Sequence, residues 1–320
     1  MAVTVPFLLL VLDFWPLRRE SGGAGARPSP ARLTLEKVPF FLLSGAACYL
    51  TVLAQKGAML TGESIPWAAR LANAAVSYWK YVGEMLVPVN LSFFYPFPLR
   101  PPLALALLAA AGLLAVTAAV FVLRRERPYL LAGWLWFAGM LVPVIGLIQV
   151  GVQSMADRYT YLPSIGLSVA VVWALDALAA GRRRALAIAV AGSLLCVAYA
   201  AGAYRQVGYW KDNEALYRRA LAVNSANSEA WFNIALHYHQ VRRFDEAERC
   251  YRQGLRIRPD DANANYNLGV LLFETGRLDE SVARLQRACR LQPGYVKARM
   301  MLRLVWAARA RAPEGKPAGR

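Results

Sequence analysis

The sequence has few residues from which a metal centre or a nucleophilic active site could be built. It contains four cysteines and two histidines, and no two cysteines form a CxxC pair of the kind that binds zinc. His237 and His239 are two positions apart, so on a helix they point to different faces and are poorly placed to share a metal. A glycine loop that cradles phosphate and a GxSxG nucleophile elbow are also missing. The chemistry of a typical soluble enzyme is therefore not visible.

Acidic residues are scarce as well. The chain of 320 residues has 20 Asp and Glu against 37 Lys and Arg, a net charge of +17. Because 57% of the residues are hydrophobic and the mean hydropathy is +0.32, the composition is typical of a membrane protein. In such a protein many basic residues lie in cytoplasmic loops, so this charge does not by itself predict nucleic-acid binding. We therefore expect membrane lipid, and no nucleic acid, among the partners.

Long hydrophobic runs fill the chain up to about residue 204. They predict complete membrane spans near residues 38–54, 101–123, 129–148, 161–180 and 185–204. A shorter run at 1–15 resembles the last part of a further span. The predicted fold class is therefore all-α, with a polytopic transmembrane helical domain at 1–204 and a soluble helical domain at 205–311. Residues 312–320 are predicted to be a disordered tail.

Three basic clusters predict the sidedness of the chain. They occur at residues 16–37, 124–127 and 182–184. The positive-inside rule places all three in the cytoplasm if residues 55–100 contain no additional crossing. Residues 149–160 and everything after the last span then lie outside the cytoplasm. We expect an integral membrane protein, of a bacterial inner membrane, whose carboxy-terminal domain is extracytoplasmic.

The segment 66–95 decides whether that additional crossing exists. Arg70, Lys80 and Glu84 interrupt its apolar residues. This pattern predicts an amphipathic helix that lies on the outer face of the membrane. The alternative is a span through this segment, which would place the later arginine clusters outside.

A 34-residue repeat begins after the last predicted span. Its core positions are occupied first by Trp231, Ile234, Ala235, Tyr238, Ala247, Tyr251 and Gly254, and then by Leu268, Gly269, Leu272, Ser281, Leu285 and Ala288. This alternation of small and large residues resembles tetratricopeptide repeats, which stack helix pairs into an α-solenoid. The predicted parts are a half repeat at 210–225, full repeats at 228–261 and 262–295, and a capping helix at 295–311.

Two asparagines recur in these repeats at the same position. Asn233 and Asn267 are one repeat apart, each two residues before a small core residue. A carboxamide both donates and accepts hydrogen bonds, so a column of such groups can hold the backbone of an extended peptide without reading its side chains. The position resembles that of an asparagine which does so in the repeats of peptide-binding glycosyltransferases, and this resemblance implies a similar ladder of amides here. The alternative is that each amide bonds within its own helix turn.

A short polar hinge at residues 143–166 separates two hydrophobic runs. It contains Asp157 and Arg158 beside Tyr159 and Tyr161. Charged groups between membrane spans are costly and usually functional. The alternative is an interfacial loop in which the tyrosines anchor the helices and Asp157 neutralises Arg158. No paired carboxylates are expected near the hinge, because Glu84 stands isolated in the sequence.

The chain resembles the transmembrane and tetratricopeptide-repeat O-mannosyltransferase family and its bacterial relatives, which are membrane glycosyltransferases of the GT-C type. The resemblance covers nearly the whole chain and is most specific in TVPFLLLVLDFWPLRR (4–19), RLANAAVSYWKYVGEMLVPVNLSFFYP (70–96) and GLIQVGVQSMADRYTYLPSIG (146–166). It implies the carboxy-terminal part of a GT-C-like fold. It also implies transfer of a sugar from a polyprenyl-phosphate donor to a protein or glycan acceptor outside the cytoplasm, with the repeats presenting the acceptor.

The resemblance also implies roles for individual residues. Arg158 would grip the donor phosphate, with Asp157, Tyr159 and Tyr161 nearby and Lys80 as a secondary contact. In the family, a first outer loop carries a catalytic acid, which acts as a base or positions a divalent metal. This chain begins partway through a later span and lacks that loop. We therefore expect a shortened copy or one of two complementary chains, inactive alone.

Two further hypotheses stay open. In the first, the chain is a membrane-anchored scaffold whose repeats dock protein partners. In the second, it is a ligase or polymerase of surface polysaccharide, although the large outer loop rich in Arg and His that such enzymes carry is not present in the sequence.

Overall fold

The computed structural model describes residues 2–19, 29–59, 65–98, 102–147 and 153–311. Regular structure in these ranges is almost entirely helical, so the predicted all-α class is confirmed. The chain forms two compact units, Met1–Tyr204 and Arg205–Arg320. Each unit has its own buried core. The predicted tail at 312–320 lies outside the described residues.

The first unit consists of helices and one short strand pair. The helices are α1 (Val5–Phe14), α2 (Pro30–Leu35), α3 (Val38–Met59), α4 (Trp67–Leu86), α5 (Leu103–Val122), α6 (Pro128–Leu141), α7 (Pro163–Leu178) and α8 (Arg182–Gly208), the last of which continues past the unit boundary. Strands β1 (Tyr95–Pro96) and β2 (Gln153–Met155) pair antiparallel, with Tyr95 opposite Met155. Helices α6 and α7 begin at prolines because a helix's first residue needs no N–H partner.

Helix α4 ends earlier than the predicted amphipathic helix at 66–95. It stops at Leu86 because Pro88 disfavours a helical conformation for the residue before it, and Val87 is accordingly non-helical at φ −136° and ψ 86°. Side chains of the helix contact neighbouring backbones. The Tyr78 hydroxyl donates to the Ala138 carbonyl at 2.8 Å, and the Trp79 indole donates to the Ala109 carbonyl at 2.9 Å. These bonds fix α4 against α6 and α5.

Two stretches in the described residues are long and apolar enough to cross a membrane by length and composition, namely Leu103–Arg125 and Arg182–Gly208. Shorter apolar helices cover Val5–Phe14, Val38–Ala54, Pro128–Leu141 and Pro163–Leu178. A helix that crosses a bilayer unaided needs about 20 residues. The larger predicted set of spans therefore stays a prediction.

Helices α6 and α7 approach each other closely at two glycines. A Cβ atom added to Gly133 would lie 2.4 Å from the Gly166 carbonyl oxygen, and one added to Gly166 would lie 2.5 Å from the Gly133 carbonyl oxygen. Real Cβ atoms essentially never come this close to backbone. The two helices flank the hinge, so this glycine contact sets the spacing of the helices from which the hinge extends.

The second unit is a stack of antiparallel helix pairs. Its helices are α9 (Asn213–Val223), α10 (Ser228–Gln240), α11 (Phe244–Ile257), α12 (Ala262–Glu274), α13 (Leu278–Leu291) and α14 (Val296–Arg311). Asn227 and Asp261, one repeat apart, cap α10 and α12 by accepting backbone N–H bonds. The core combines large residues such as Tyr251 and Leu268 with small ones such as Ala247, all of them fully buried. Small residues let the helices approach, and large ones fill the space between them.

We expect Gly166→Ala to destabilise the full chain by about 1–3 kcal/mol, because the added methyl group would push α7 away from α6. Gly192→Ala is the matched control, since nothing lies within 4 Å of a Cβ added there. The measurement is the thermal unfolding midpoint of the purified chain in detergent. Equal midpoints for the two variants would contradict the close approach.

Candidate functional site

The hinge is held in place by a buried tyrosine of α4. The Tyr81 side chain has no solvent exposure. Its hydroxyl accepts the Ala156 amide at 3.1 Å and donates to the Ala156 carbonyl at 3.4 Å. Asn73, on the same helix, donates to the Ser154 carbonyl at 3.3 Å. These bonds fix the backbone immediately before Asp157, which begins a 3₁₀ turn.

A pair of carboxyl groups lies beside this fixed backbone. Glu84 comes from α4 and Asp157 from the hinge. Tyr81, three residues before Glu84, binds the Ala156 backbone directly before Asp157, and Tyr95 interacts electrostatically with both carboxyls. Within the described residues, Glu84 Oε2 and Asp157 Oδ1 are inaccessible to solvent and have no hydrogen-bond partner. The prediction that Glu84 stands isolated is therefore wrong. Sequence reasoning missed the pair because the residues that hold it, Tyr81 and Tyr95, are far from Asp157 along the chain.

Burial changes the acidity of both groups. It raises the pKa of Glu84 to about 7, and repulsion from Asp157 adds to the rise, while Lys80 and the Tyr95 hydroxyl oppose it. Burial also raises the pKa of Asp157 to about 6, against hydrogen bonding from Tyr95 and the Ser92 amide and attraction by Arg158. The same surroundings raise the pKa of the Tyr95 hydroxyl far above its ordinary value. Both carboxyls therefore hold a proton more tightly than an exposed acid does.

The predicted donor-binding residues near the carboxyl pair differ in their exposure and in their contacts. Arg158 is exposed and lies over the Tyr159 ring, 5.1 Å from its centroid. The Tyr159 hydroxyl accepts a hydrogen bond from Gln153 at 2.7 Å. Tyr161 is 73% exposed. Lys80 is exposed on α4, where its charge acts on Glu84. Arg158 and Tyr159 thus form a cationic and aromatic surface next to the carboxyl pair.

Arg158 and Asp157 are adjacent in sequence but are not an ion pair. No N···O distance of 4.0 Å or less joins them, and in the described part of the chain the guanidinium has no hydrogen-bond acceptor. The alternative in which Asp157 merely neutralises Arg158 therefore loses its geometric basis. A guanidinium that keeps its donors available can bind an oxyanion in a forked arrangement.

Asn233 and Asn267 lie at equivalent positions of α10 and α12, and both are half-buried. Neither side chain has a hydrogen-bond partner among the described residues. The alternative, in which each amide bonds within its own helix turn, is therefore not seen in the geometry. Three residues further along each helix, on the same face, stand Leu236 and Val270. Leu236 is 38% exposed. The helices therefore present amides beside apolar side chains.

A contact between a histidine and a glutamate joins α10 to α12 near the ends of these helices. The His239 Nε2 atom lies 3.1 Å from Glu274 Oε2. His237 is not part of this contact. No group of three or more His, Cys, Asp or Glu side chains that could hold a metal occurs in the described residues. The carboxyl pair alone is a small ligand set for a divalent metal.

Comparison with known proteins supports the repeat assignment. The family described as "Tetratricopeptide repeat" matches residues 240–296. A search of curated proteins finds no match. The O-mannosyltransferase resemblance therefore stays a prediction.

Several solved structures are similar to one third of the chain. The crystal structure of MamA has 16% identity and a TM-score of 0.31, with 33% of this chain and 63% of that chain covered. The first TPR of Spaghetti (RPAP3), bound to an HSP90 peptide, has 21% identity and a TM-score of 0.30, covering 33% and 84%. The O-GlcNAc transferase of Thermobaculum terrenum has 25% identity and a TM-score of 0.28, covering 32% and 20%. The chain thus spans less than two thirds of MamA and one fifth of the transferase.

The repeat match and the stacked helix pairs define the class of the second unit. This unit contains tetratricopeptide repeats, which match that family over residues 240–296. The first unit is helical and strongly apolar, with two stretches long enough to cross a membrane.

We expect the stability of the chain to fall as pH rises through the Glu84 pKa. The folded-state pKa of about 7 lies above the ordinary value of 4.5, so the folded state binds the proton more tightly. The stability that the tighter proton binding contributes is complete below about pH 4.5 and is lost as pH approaches about 8. Glu84→Gln removes this loss and should stabilise the chain relative to wild type by about 2 kcal/mol at the higher pH.

The measurement compares unfolding midpoints of wild type and Glu84→Gln in detergent at acidic and alkaline pH. Glu126→Gln is the matched control, because Glu126 is an exposed carboxylate. A Glu84→Gln variant whose midpoint differs from wild type by the same amount at both pH values would show that the carboxyl is not perturbed.

Proposed function

We propose that the chain is a membrane-anchored scaffold whose repeat unit binds an extended segment of a partner protein. The observation that carries this proposal is the pair of amides at Asn233 and Asn267, which are one repeat apart and lack partners within the described residues. Each offers donors and an acceptor to a peptide backbone. A half-buried amide without a partner loses hydrogen bonds to water, and a bound backbone would restore them.

The apolar side chains beside these amides favour a peptide over a highly charged ligand. Leu236, Val270 and Leu304 recur at one-repeat intervals on α10, α12 and α14. Leu304 is 50% exposed. An extended peptide alternates its side chains, so backbone groups could contact the amides while every second side chain covers the apolar residues.

The first unit supplies the proposed anchor. The stretch Arg182–Gly208 has a mean hydropathy of 2.0 and buries none of its span window within the chain. Leu103–Arg125 has a mean hydropathy of 2.5 and is 11% buried. Apolar surface of this extent is stable when lipid covers it. The repeat unit then lies outside the cytoplasm, as the positive-inside rule predicts.

We expect Asn233→Ala and Asn267→Ala each to weaken peptide binding about tenfold, since a lost hydrogen-bonding side chain costs about 1–1.5 kcal/mol. Peptides selected by wild type from an array of unfolded segments serve as probes in fluorescence anisotropy. The loss should be similar for peptides of different sequence, because the amides contact backbone. Gln253→Ala is the control, since Gln253 is an exposed amide on α11. Losses confined to one peptide sequence would refute backbone binding.

A second candidate function is that of a glycosyltransferase component which binds a polyprenyl-phosphate sugar at the hinge and passes the sugar to a peptide held by the repeats. The specific observation that favours it is the Arg158 guanidinium, which lies over Tyr159 and has no acceptor within the described residues. The guanidinium can fork onto phosphate oxygens, and the aromatic ring offers a stacking surface for a sugar. The residues implied by the resemblance would then act as a donor site, with Lys80 as a secondary contact.

For this second candidate we expect Arg158→Gln to weaken binding of a soluble prenyl phosphosugar by about 10- to 100-fold, because charge-assisted hydrogen bonds contribute about 1.5–3 kcal/mol. Arg158→Lys should recover only part of the affinity, since an ammonium cannot fork. Arg125→Gln serves as the control, because Arg125 is an exposed arginine outside the hinge. Isothermal calorimetry on the full chain measures the affinity. Unchanged binding in Arg158→Gln would remove Arg158 from the donor site.

A further inference from the structure

The carboxyl pair has an environment that ordinary surface acids lack. Glu84 and Asp157 are contributed by different elements, and each has one oxygen that is closed to solvent and unpartnered in the described chain. Tyr81, three residues before Glu84, binds the Ala156 backbone directly before Asp157, and this contact brings the two carboxyls close together. Two neighbouring carboxylates repel each other, and a proton bound to one of them relieves that repulsion.

The charged and titratable groups around the pair come from three segments. Helix α4 contributes Lys80 and Tyr81, and the hinge contributes Arg158 and Tyr159, in addition to Tyr95 of β1. The cations are exposed, and neither forms an ion pair of 4.0 Å or less with the carboxyls. Because neither cation lies this close, neither neutralises the negative charge of the carboxyl pair. A bound proton can still do so.

We propose that Glu84 and Asp157 form a proton-holding pair that takes up a proton when an anion binds at Arg158. This inference rests on the proposed donor-binding role of the hinge and adds a pH dependence to it. An anion at Arg158 brings negative charge next to the pair and so favours its protonated form. By linkage, lowering the pH must then tighten binding of the anion.

The ligand chemistry is that of a phosphodiester. Such a group carries a single negative charge that does not titrate near neutral pH, so any proton taken up on binding belongs to the protein. A lipid-linked sugar phosphate and the headgroup of phosphatidylglycerol share this chemistry. A prenyl phosphosugar and a short-chain phosphatidylglycerol therefore form two arms of the test, and dibutyl phosphate, which has neither sugar nor glycerol, forms the third.

The experiment is calorimetric titration of the full chain in detergent with each probe, in buffers of different ionisation enthalpy. The dependence of the heat on the buffer gives the number of protons taken up. We expect uptake of a fraction of a proton near pH 7, and affinity that tightens up to about tenfold between about pH 8 and pH 6. Glu84→Gln and Asp157→Asn, which preserve shape, should each reduce the uptake and flatten the pH profile. Glu126→Gln should do neither.

The outcomes separate this inference from the donor-binding proposal. Binding that depends on Arg158 but takes up no proton at any pH overturns the proton-holding pair and leaves the donor site intact. Absence of binding by every probe overturns both. Uptake that persists in both Glu84→Gln and Asp157→Asn assigns the proton elsewhere and overturns the inference. If the phosphosugar binds more tightly than phosphatidylglycerol and binding takes up a proton, the inference is supported with a sugar-linked phosphate as the ligand. If the two bind equally and a proton is taken up, the inference is supported with a lipid headgroup as the ligand.

Discussion

The first unit depends on the double hydrogen bond between the Tyr81 hydroxyl and the Ala156 backbone. The hinge residues Ile145 and Met155 are buried in the same core as Tyr81, which is fully buried on a 20-residue helix. A buried hydroxyl that both donates and accepts holds the amide and the carbonyl of one residue in place. Because Asp157 and Arg158 follow directly, this contact also determines where their side chains begin. The Gly133–Gly166 approach constrains the helices on either side of the same hinge.

The repeat unit could be predicted from the sequence because its information is local and periodic. Each core position recurs after 34 residues. The core positions of Ile234, Ala235 and Tyr238 therefore predict those of Leu268, Gly269 and Leu272. The helix ends follow from caps and prolines in the same way. The predicted capping helix at 295–311 and the helix Val296–Arg311 therefore differ by one residue.

The carboxyl pair could not be predicted because its information is non-local. Glu84 meets Asp157 only after β1 pairs with β2 and Tyr81 binds Ala156, and neither event leaves a periodic signal in the sequence. One clue was available. Glu84 interrupts an apolar segment four residues after Lys80, and an acid that costs free energy in such a place needs compensation. The sequence shows that compensation is needed but cannot show that Tyr95 contributes it.

Two arginines of the repeat unit form ion pairs with nearby acids, whereas Arg158 at the hinge does not pair with the adjacent Asp157. In the repeat unit Arg243 bonds Glu246 at 2.7 Å, and one repeat later Arg277 bonds Glu280 at 2.6 Å. Each of these arginines precedes a helix and pairs with a glutamate of its first turn, and the recurrence at the repeat period marks the pairs as part of the fold. Arg158 has an acid immediately beside it in sequence, yet that acid faces Tyr95 and the guanidinium faces an aromatic ring. A fold that needed only charge neutralisation would pair the two. Their separation leaves the guanidinium without an acceptor among the described residues, as the proposed anion site requires.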